Sequence, residues 1–220
     1  MMPTPDLALS FRKLTRQAST RIAESAFELA RRRRSKVTAV HKANVLRLSD
    51  GLFLDSVRAV AAQHPEVAYE ETLVDAMAAL LVRDARAFDV IVTTNMFGDI
   101  LSDLAAEIAG GLGLAASLNA GPIHAVAQAQ HGSAPDLAGQ DRANPAALIG
   151  SAAMLLGWLG ERRGEALGEV GLIQAAEAIE HALDRTLTQP DRRTADLGGA
   201  MGTRAFGTAV AGALTAAAAE

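Results

Sequence analysis

Two aspartates near the middle of the chain are the first residues that suggest chemistry. Asp99 and Asp103 are four residues apart in a segment predicted to be a helix, so their carboxylates share one helical face. The helix follows a predicted buried strand, and its first turn, which is predicted to contain Asp99, favours negative charge. Carboxylate oxygens with open positions around them suit Mg²⁺ or Mn²⁺. Taken alone, such a pair is more often a solvated acidic face, so the metal interpretation needs support from other residues.

Two further residues give that support. Lys42 directly follows a predicted strand, and it is one of three lysines in a chain whose other cationic side chains are arginines. Burial can bring the pKa of a lysine into the catalytic range, whereas an arginine stays charged. Asp75 opens another predicted helix and is the candidate for a third carboxylate. Together these residues predict a metal-assisted reaction that needs a titratable amine.

The elements that position these residues alternate between strand and helix. Short β-prone runs predict strands over 36–41, 67–71 and 89–93. Apolar spacing predicts helices over 15–33, 50–63, 73–83 and 98–109. The apolar face of the first helix is predicted to contain Ile22, Ala26, Leu29 and Ala30. This alternation indicates an α/β layered architecture.

The second half of the chain has a different pattern. Residues 118–144 are rich in Gly, Pro, Asn and Asp and are predicted to form a long loop, which is typical of functional or disordered segments. Helices are predicted over 145–159, 172–187 and 203–214. Residues 111–116 match G-x-G-x-x-A, but they follow a helix instead of a strand. We therefore expect these glycines to end that helix and to allow close packing, and not to bind a dinucleotide.

Composition excludes several classes of function. The net charge is −4, from 21 basic and 25 acidic residues, which does not favour a nucleic-acid partner. The four arginines at 31–34 are interpreted as the basic end of a helix. Without cysteine, the chain has no disulfide, thiolate nucleophile or cysteine-ligated zinc. It shows neither a signal-peptide pattern nor a membrane-length apolar run, which predicts a cytoplasmic protein with no membrane partner.

Seven segments together resemble the NAD-dependent β-decarboxylating dehydrogenases, the isocitrate/isopropylmalate dehydrogenase family. These segments are 41–44, 48–53, 74–76, 95–103, 110–114, 131–139 and 196–199. They occur in the order and spacing of the family, and the resemblance covers about 14–214. It implies an isopropylmalate dehydrogenase-like two-domain α/β layered fold, of which this chain contains the C-terminal part only. Residues 1–109 would form a small dimer-forming domain, and residues 110–220 the C-terminal half of the cofactor-binding domain.

The resemblance also implies a role for each candidate residue. Asp99 and Asp103 bind Mg²⁺ or Mn²⁺ from one subunit, and Asp75 reaches the same metal from the neighbouring subunit of a homodimer. Lys42 corresponds to the catalytic lysine, and Asn44 lines the nicotinamide and substrate pocket. The implied reaction is the oxidation of a 2-hydroxy acid by NAD, with Lys42 as the base, followed by loss of carbon dioxide. The metal would act as a Lewis acid. Isocitrate, 3-isopropylmalate or a relative is the implied substrate.

A second implied site is the loop that holds the adenosine end of NAD. Its implied cofactor-binding residues are His131, Gly132, Ser133, Ala134, Asp136 and Asn144. Gly132 lets backbone N–H groups approach the phosphates, and His131 and Asn144 resemble residues that contact the adenine. NADP-type relatives carry Lys at 136 and Tyr at 137. Asp136 would accept hydrogen bonds from the ribose hydroxyls and repel a 2′-phosphate, so we predict NAD.

The sequence also departs from the family pattern. It lacks the glycine-rich turn, the substrate-binding arginines and the catalytic tyrosine that relatives carry upstream. Tyr69 lies in a predicted strand and is interpreted as structural, and Gln128 replaces a carboxylate near the nicotinamide. One hypothesis is a dehydrogenase whose start lies further upstream. The alternative is a catalytically inactive truncated remnant or accessory subunit that dimerises and binds nucleotide weakly. A third is that a separate chain supplies the missing half.

Overall fold

The computed structural model describes the backbone of residues 1–167 and 169–217 of the 220-residue chain. Side chains are described throughout these ranges except at 163–170 and 216–217. The chain divides into two compact units, Met1–Ile108 and Ala109–Glu220. The dimer-forming and cofactor-binding roles expected for the two halves remain predictions.

The first unit is a parallel sheet with helices on both faces. Its elements are α1 (Arg16–Arg31), β1 (Lys36–His41), α2 (Arg47–Ala61), β2 (Ala68–Leu73), α3 (Val74–Asp84), β3 (Val90–Thr93) and α4 (Asn95–Ala109), whose last residue begins the second unit. The strand order is β2-β1-β3, with His41 opposite Leu73 and Val40 opposite Thr93. The predicted strands and the α/β architecture are confirmed.

The central strand β1 is covered on both faces. On one face, Val37 and Ala39 pack with buried residues of α1 and α2, including Phe27 and Phe53. On the other face, Val40 packs in a second cluster that contains Met77, Leu81, Phe88 and Leu101. A strand buried on both faces needs a continuous run of buried residues instead of an alternating pattern. That requirement explains why all four residues from 37 to 40 are buried.

The buried face of α1 differs from the prediction. Its buried residues are Ser19, Ala23, Ala26, Phe27 and Ala30. Ile22 and Leu29, which were expected on this face, are 47% and 46% exposed. Phe27 is fully buried, and its ring removes more apolar area from water than either aliphatic side chain would. The aromatic residue therefore determines which face of α1 meets the sheet.

The second unit is a β-hairpin packed on helices. Its elements are β4 (Ala116–Ala120), β5 (Ala125–Ala129), α5 (Ala146–Leu167), α6 (Glu169–Leu187) and α7 (Thr203–Ala217), and the two strands are antiparallel. The expectation of a single loop over 118–144 is therefore wrong. The Ser151 hydroxyl on α5 accepts the Ser117 N–H at 3.0 Å and donates to the Gln128 carbonyl at 2.7 Å. These strands are rich in alanine, which has low β-propensity, so tertiary contacts of this kind stabilise them.

Small residues allow close packing in the second unit. A Cβ added at Gly160 of α5 would lie 2.7 Å from Ile173 Cγ1 of α6. The core combines Ala146, Ala182, Phe206, Val210 and Ala213. Four of these five side chains are small and aliphatic, which lets the helices approach closely. None of the described helices is long and apolar enough to cross a membrane.

The glycines at 110–113 lie directly after α4. Gly110 and Gly111 have φ angles of 131° and 128°, which side chains disfavour. A Cβ at Gly113 would lie 2.8 Å from Asp196 Oδ2 and 2.9 Å from Asn144 Cβ. The prediction that these glycines end a helix and allow close approach, instead of opening a dinucleotide-binding helix, is confirmed.

Candidate functional site

The candidate catalytic residues lie after the carboxyl ends of the three parallel strands. Lys42 directly follows β1, and Asp75 is in the first turn of α3, immediately after β2. Strand β3 leads through Thr94 into α4. Because the strands are parallel, their carboxyl ends share one edge of the sheet, and ligands bind at this edge in open α/β sheets.

Lys42 and Asp75 form an ion pair. The distance from Lys42 Nζ to Asp75 Oδ1 is 2.5 Å, and the two side chains are 27% and 64% exposed. The hydrogen bond from Lys42, together with a backbone N–H, holds the pKa of the Asp75 carboxyl below its ordinary value. Because the pair faces solvent, it adds little to stability. Its effect is to bring the predicted base and a predicted metal ligand together in one chain.

The turn that carries Lys42 is held by hydrogen bonds on both sides of the residue. The Lys42 N–H donates to Asp50 Oδ2 at 2.7 Å. The Lys42 carbonyl accepts the N–H groups of Val45 at 3.0 Å and Leu46 at 2.8 Å. Asn44 is exposed in the same turn. The side chain of Lys42 therefore leaves the backbone at a well-defined position.

Asp99 and Asp103 are exposed and lie one turn apart on α4. The helix begins at Asn95, and its Gly98 N–H already donates to the Thr94 carbonyl at 2.9 Å. The prediction that Asp99 lies in the first turn is therefore wrong, because glycine at 98 continues the helix instead of starting it. Since the favourable helix dipole weakens beyond the first turn, the spacing of the pair is the stronger argument for a metal site.

The three aspartates provide the oxygen donors that Mg²⁺ and Mn²⁺ prefer. Among the described residues, however, no group of three or more His, Asp or Glu side chains is arranged to hold a metal ion. Asp75 contacts Lys42 instead. The three carboxylates thus do not form one site within the described chain. The resemblance implies that Asp75 reaches the metal from a second copy, and this remains a prediction.

Tyr69 has a structural role, as its position in a strand predicted. Its hydroxyl donates to Glu71 Oε1 at 2.8 Å, and Arg58 binds both oxygens of Glu71 at 2.7 and 2.8 Å. Burial, followed by the hydrogen bond to Glu71, raises the pKa of Tyr69. These hydrogen bonds link β2 to α2, and they already occupy the Tyr69 hydroxyl.

The predicted nucleotide loop lines a cleft of about 390 Å³ in the second unit. Ala134 has a φ of 43°, a left-handed conformation that a non-glycine residue adopts at some cost and that recurs at ligand-binding loops. Asp136 follows in a short 3₁₀ turn and is exposed. His131 Nδ1 lies 2.8 Å from the Gly132 carbonyl oxygen. Because a carbonyl oxygen can only accept, Nδ1 is the donor in this contact.

The end of this loop is held against the start of α7. Asp141 accepts the Arg204 N–H on its side chain at 2.9 Å and the Thr203 N–H on its carbonyl at 3.0 Å. The Thr203 hydroxyl donates to the Ala143 carbonyl at 2.6 Å. A Cβ at Gly202 would lie 2.5 Å from Asp141 Oδ2, so the approach requires glycine. These bonds satisfy the first donors of α7, which would otherwise lack partners.

Asn144 is buried, and both ends of its amide have partners. Its oxygen accepts the Ala146 N–H at 3.0 Å, and its nitrogen donates to Asp196 Oδ2 at 2.9 Å. A contact with the adenine would therefore have to use the remaining amide hydrogen or the backbone. The adenine-contacting role of Asn144 remains a prediction.

Four residues around these sites were missed by sequence reasoning: Arg12, Asp50, Asp141 and Asp196. Asp50 and Asp196 lie within the matching segments 48–53 and 196–199, which gave no indication of their partners. Arg12, Asp141 and Asp196 form hydrogen bonds with residues 38 to 63 positions away in the chain. No local pattern relates residues at such separations.

Comparisons with known proteins identify the family of the chain. A family model described as isocitrate/isopropylmalate dehydrogenase matches residues 3–210. The isocitrate/homoisocitrate dehydrogenase of Thermus thermophilus is 48% identical over 210 residues, which are 95% of this chain and 59% of that protein. The 3-isopropylmalate dehydrogenase of Archaeoglobus fulgidus is 46% identical over 210 residues, which are 95% and 61% of the two chains.

A solved structure shares the fold. The crystal structure of isocitrate dehydrogenase from Methylococcus capsulatus has a TM-score of 0.83 and 42% identity, covering 94% of this chain and 58% of that one. The expected isopropylmalate dehydrogenase-like α/β fold is thereby confirmed over the matched length. The chain spans about 60% of the length of the Thermus and Archaeoglobus enzymes.

Proposed function

Because the chain belongs to the isocitrate/isopropylmalate dehydrogenase family, we propose that it contributes to the oxidative decarboxylation of a 2-hydroxy acid with NAD and Mg²⁺ or Mn²⁺. The family contains decarboxylating dehydrogenases that use NAD, or NADP in NADP-type relatives, together with a divalent metal, and that form dimers. The observation that carries the proposal is the Lys42–Asp75 contact at the carboxyl edge of the sheet. Asp99 and Asp103 on α4 supply further carboxylates on the element that follows the neighbouring strand.

In the proposed reaction, Lys42 in its neutral amine form accepts the proton of the substrate hydroxyl, while the hydride on the same carbon passes to NAD⁺. The turn around Lys42 keeps the amine at one position, which reduces the orientational cost of proton transfer. Asp99 and Asp103 of one copy, with Asp75 of a second copy, would hold the divalent cation, which would supply a Lewis acid.

Loss of carbon dioxide breaks a carbon–carbon bond, and the electron pair left behind takes up a proton. Tyr69 is not assigned to this step, because its hydroxyl is bound to Glu71 beside Arg58.

The proposed NAD site is the cleft lined by residues 131–134, 137–139 and 141–143. The exposed backbone at Gly132 accommodates the phosphates, and Asp136 accepts hydrogen bonds from the ribose hydroxyls. The Gln140 amide donates to the Asp136 carbonyl at 2.5 Å, which supports the short turn that presents the carboxylate. A carboxylate at this position favours NAD over NADP.

The test separates binding from turnover. Calorimetry would measure the binding of NAD and of Mn²⁺ to the purified chain. A second assay would measure NADH and carbon dioxide with isocitrate, homoisocitrate and 3-isopropylmalate. In protein that also has the glycine-rich turn, arginines and tyrosine that relatives carry upstream, we expect NADH and carbon dioxide in equal amounts from one substrate, and none after the metal is chelated. NAD binding without turnover of any substrate would support the alternative, a dimerising subunit without catalysis. Absence of both binding and turnover would contradict the proposal.

A further inference from the structure

Asp50 is a buried carboxylate that the proposed reaction does not use. Its exposed fraction is 0%, and it is the only charged residue among the fully enclosed residues of the described chain. Removing a carboxylate from water is unfavourable unless the group is paired and hydrogen-bonded. The partners of Asp50 therefore show what the burial achieves.

Both oxygens of Asp50 have partners. Oδ2 accepts the backbone N–H of Lys42 at 2.7 Å. Oδ1 is paired with the guanidinium of Arg12, which also donates to the Ser49 hydroxyl at 3.2 Å. Hydrogen bonds that involve an ionised group are shorter and stronger than those between neutral groups. The backbone N–H of Lys42, the proposed catalytic base, is thus bound to the charged carboxylate of Asp50. That carboxylate is in turn paired with Arg12.

Arg12 connects this group to α4. Its guanidinium carbon lies 5.4 Å from the centroid of the Phe97 ring, which is an attractive cation–π arrangement. Phe97 is buried and lies two residues before Asp99. One side chain from the segment before α1 therefore contacts both the anchor of Lys42 and the helical turn that leads to Asp99.

We propose that Arg12 and Asp50 are positioning residues that set the backbone of Lys42 relative to the start of α4. The inference rests on the proposed role of Lys42 as the base. The turn itself holds the Lys42 carbonyl through Val45 and Leu46, but only Asp50 holds its N–H. Loss of the charged acceptor would free one side of the residue and let the amine leave its place beside Asp75.

A matched control lies at the opposite edge of the same sheet. Asp89 precedes β3, and its side chain is 2% exposed. It accepts the Arg34 N–H at 2.8 Å and pairs with Arg33 at 3.2 Å. Asp89→Asn thus removes another arginine-paired carboxylate with a buried side chain, one that does not contact Lys42. These contacts also support the structural interpretation of the arginines at 31–34.

Amide hydrogen exchange measured by NMR directly tests the hydrogen bond from the Lys42 N–H to Asp50. We expect Asp50→Asn to speed exchange of the Lys42 amide by about tenfold or more, because a neutral acceptor binds the N–H less strongly. The Lys42 amide proton should also move upfield. Asp89→Asn should change the Arg34 amide and leave the Lys42 amide unchanged.

Arg12→Gln extends the test to the arginine, and it is the informative variant if Asp50→Asn does not fold, because the Arg12 side chain is partly exposed. We expect a smaller change of the same sign at the Lys42 amide. The double variant should exchange no faster than Asp50→Asn alone, since coupled residues are non-additive.

Turnover gives the functional readout. With the substrate that the turnover assay identifies, Asp50→Asn should lower kcat by about tenfold or more at unchanged KM for NAD, because a small misplacement of a catalytic group is costly. An unchanged Lys42 amide, or a changed amide with unchanged kcat, would overturn the positioning role. If the Lys42 amide changes but the chain shows no turnover, Asp50 does hold the Lys42 backbone, and only the proposed function is rejected.

Discussion

The two candidate sites, one in each unit, are built in different ways. Lys42, Asp75 and the start of α4 follow the ends of three regular strands, so the order of elements already places them at one edge. The loop over 131–144 has no such frame, and contacts with Thr203 and Asp196 hold its end. Strand ends thus place side chains through local structure, whereas an irregular loop takes its shape from contacts with distant segments.

The largest expected effect tests whether Lys42 acts independently of NAD binding by the 131–144 loop. Lys42→Met should lower kcat by about 10²- to 10⁴-fold, the usual contribution of a general base. The NAD dissociation constant should stay the same, because the described side-chain partner of Lys42, Asp75, belongs to the first unit. Steady-state kinetics and calorimetry measure the two quantities. Lys36→Met, at the other end of β1, is the control. A weaker NAD affinity in Lys42→Met would show that the Lys42 segment and the 131–144 loop do not act independently.

The next largest effect concerns the shape of the loop. Gly202→Ala should lower the free energy of unfolding by about 1–3 kcal/mol, the usual cost of overpacking, because its Cβ would meet Asp141. NAD binding should weaken with it. Chemical denaturation and calorimetry provide the measurements. Gly212→Ala in α7 meets nothing within 4 Å, so it should be neutral or stabilising. Equal losses in both variants would contradict the proposed close approach.

Cofactor choice should respond to the loop surface alone. Asp136→Lys with Leu137→Tyr should raise the ratio of NADP to NAD affinity by about tenfold or more, because it replaces a repulsive carboxylate with a cation. Binding of both nucleotides, measured by calorimetry, gives the ratio. Asp191→Lys makes the same charge change in another exposed turn of the second unit. If Asp191→Lys changes the ratio of NADP to NAD affinity as much as the double variant does, the effect comes from net charge and not from the loop.

The smallest expected effect is electrostatic. Lys42 lowers the pKa of Asp75, so Lys42→Met should raise that pKa toward its ordinary value. A carboxyl with a depressed pKa contributes stability above its ordinary pKa, and the contribution disappears as pH falls through the folded pKa. NMR titration of the Asp75 carboxyl carbon in metal-free protein measures the shift. The pKa of Asp84, which Arg86 lowers, should not move. An unmoved Asp75 pKa would mean that the ion pair does not form in solution.

The sequence predicted the layered fold because apolar spacing is a local property of strands and helices. It failed where packing overrides that spacing. In α1, the buried face contains Phe27 and not Ile22 or Leu29. In the second unit, Ser151 holds a hairpin in a stretch that lacks a clear strand pattern. The start of α4 was predicted too late because glycine at 98 resembles a helix boundary.

By itself, the sequence determined which residue types follow each strand, and therefore that a lysine and several carboxylates share one edge of a sheet. Only the tertiary structure decided what holds them. Arg12 and Asp50 are 38 residues apart, Asn144 and Asp196 are 52 apart, and Asp141 and Arg204 are 63 apart. Periodicity and turn chemistry act over a few residues, so they carry no information about such pairs. Chain folding brings these partners together, and buried polar groups then require them.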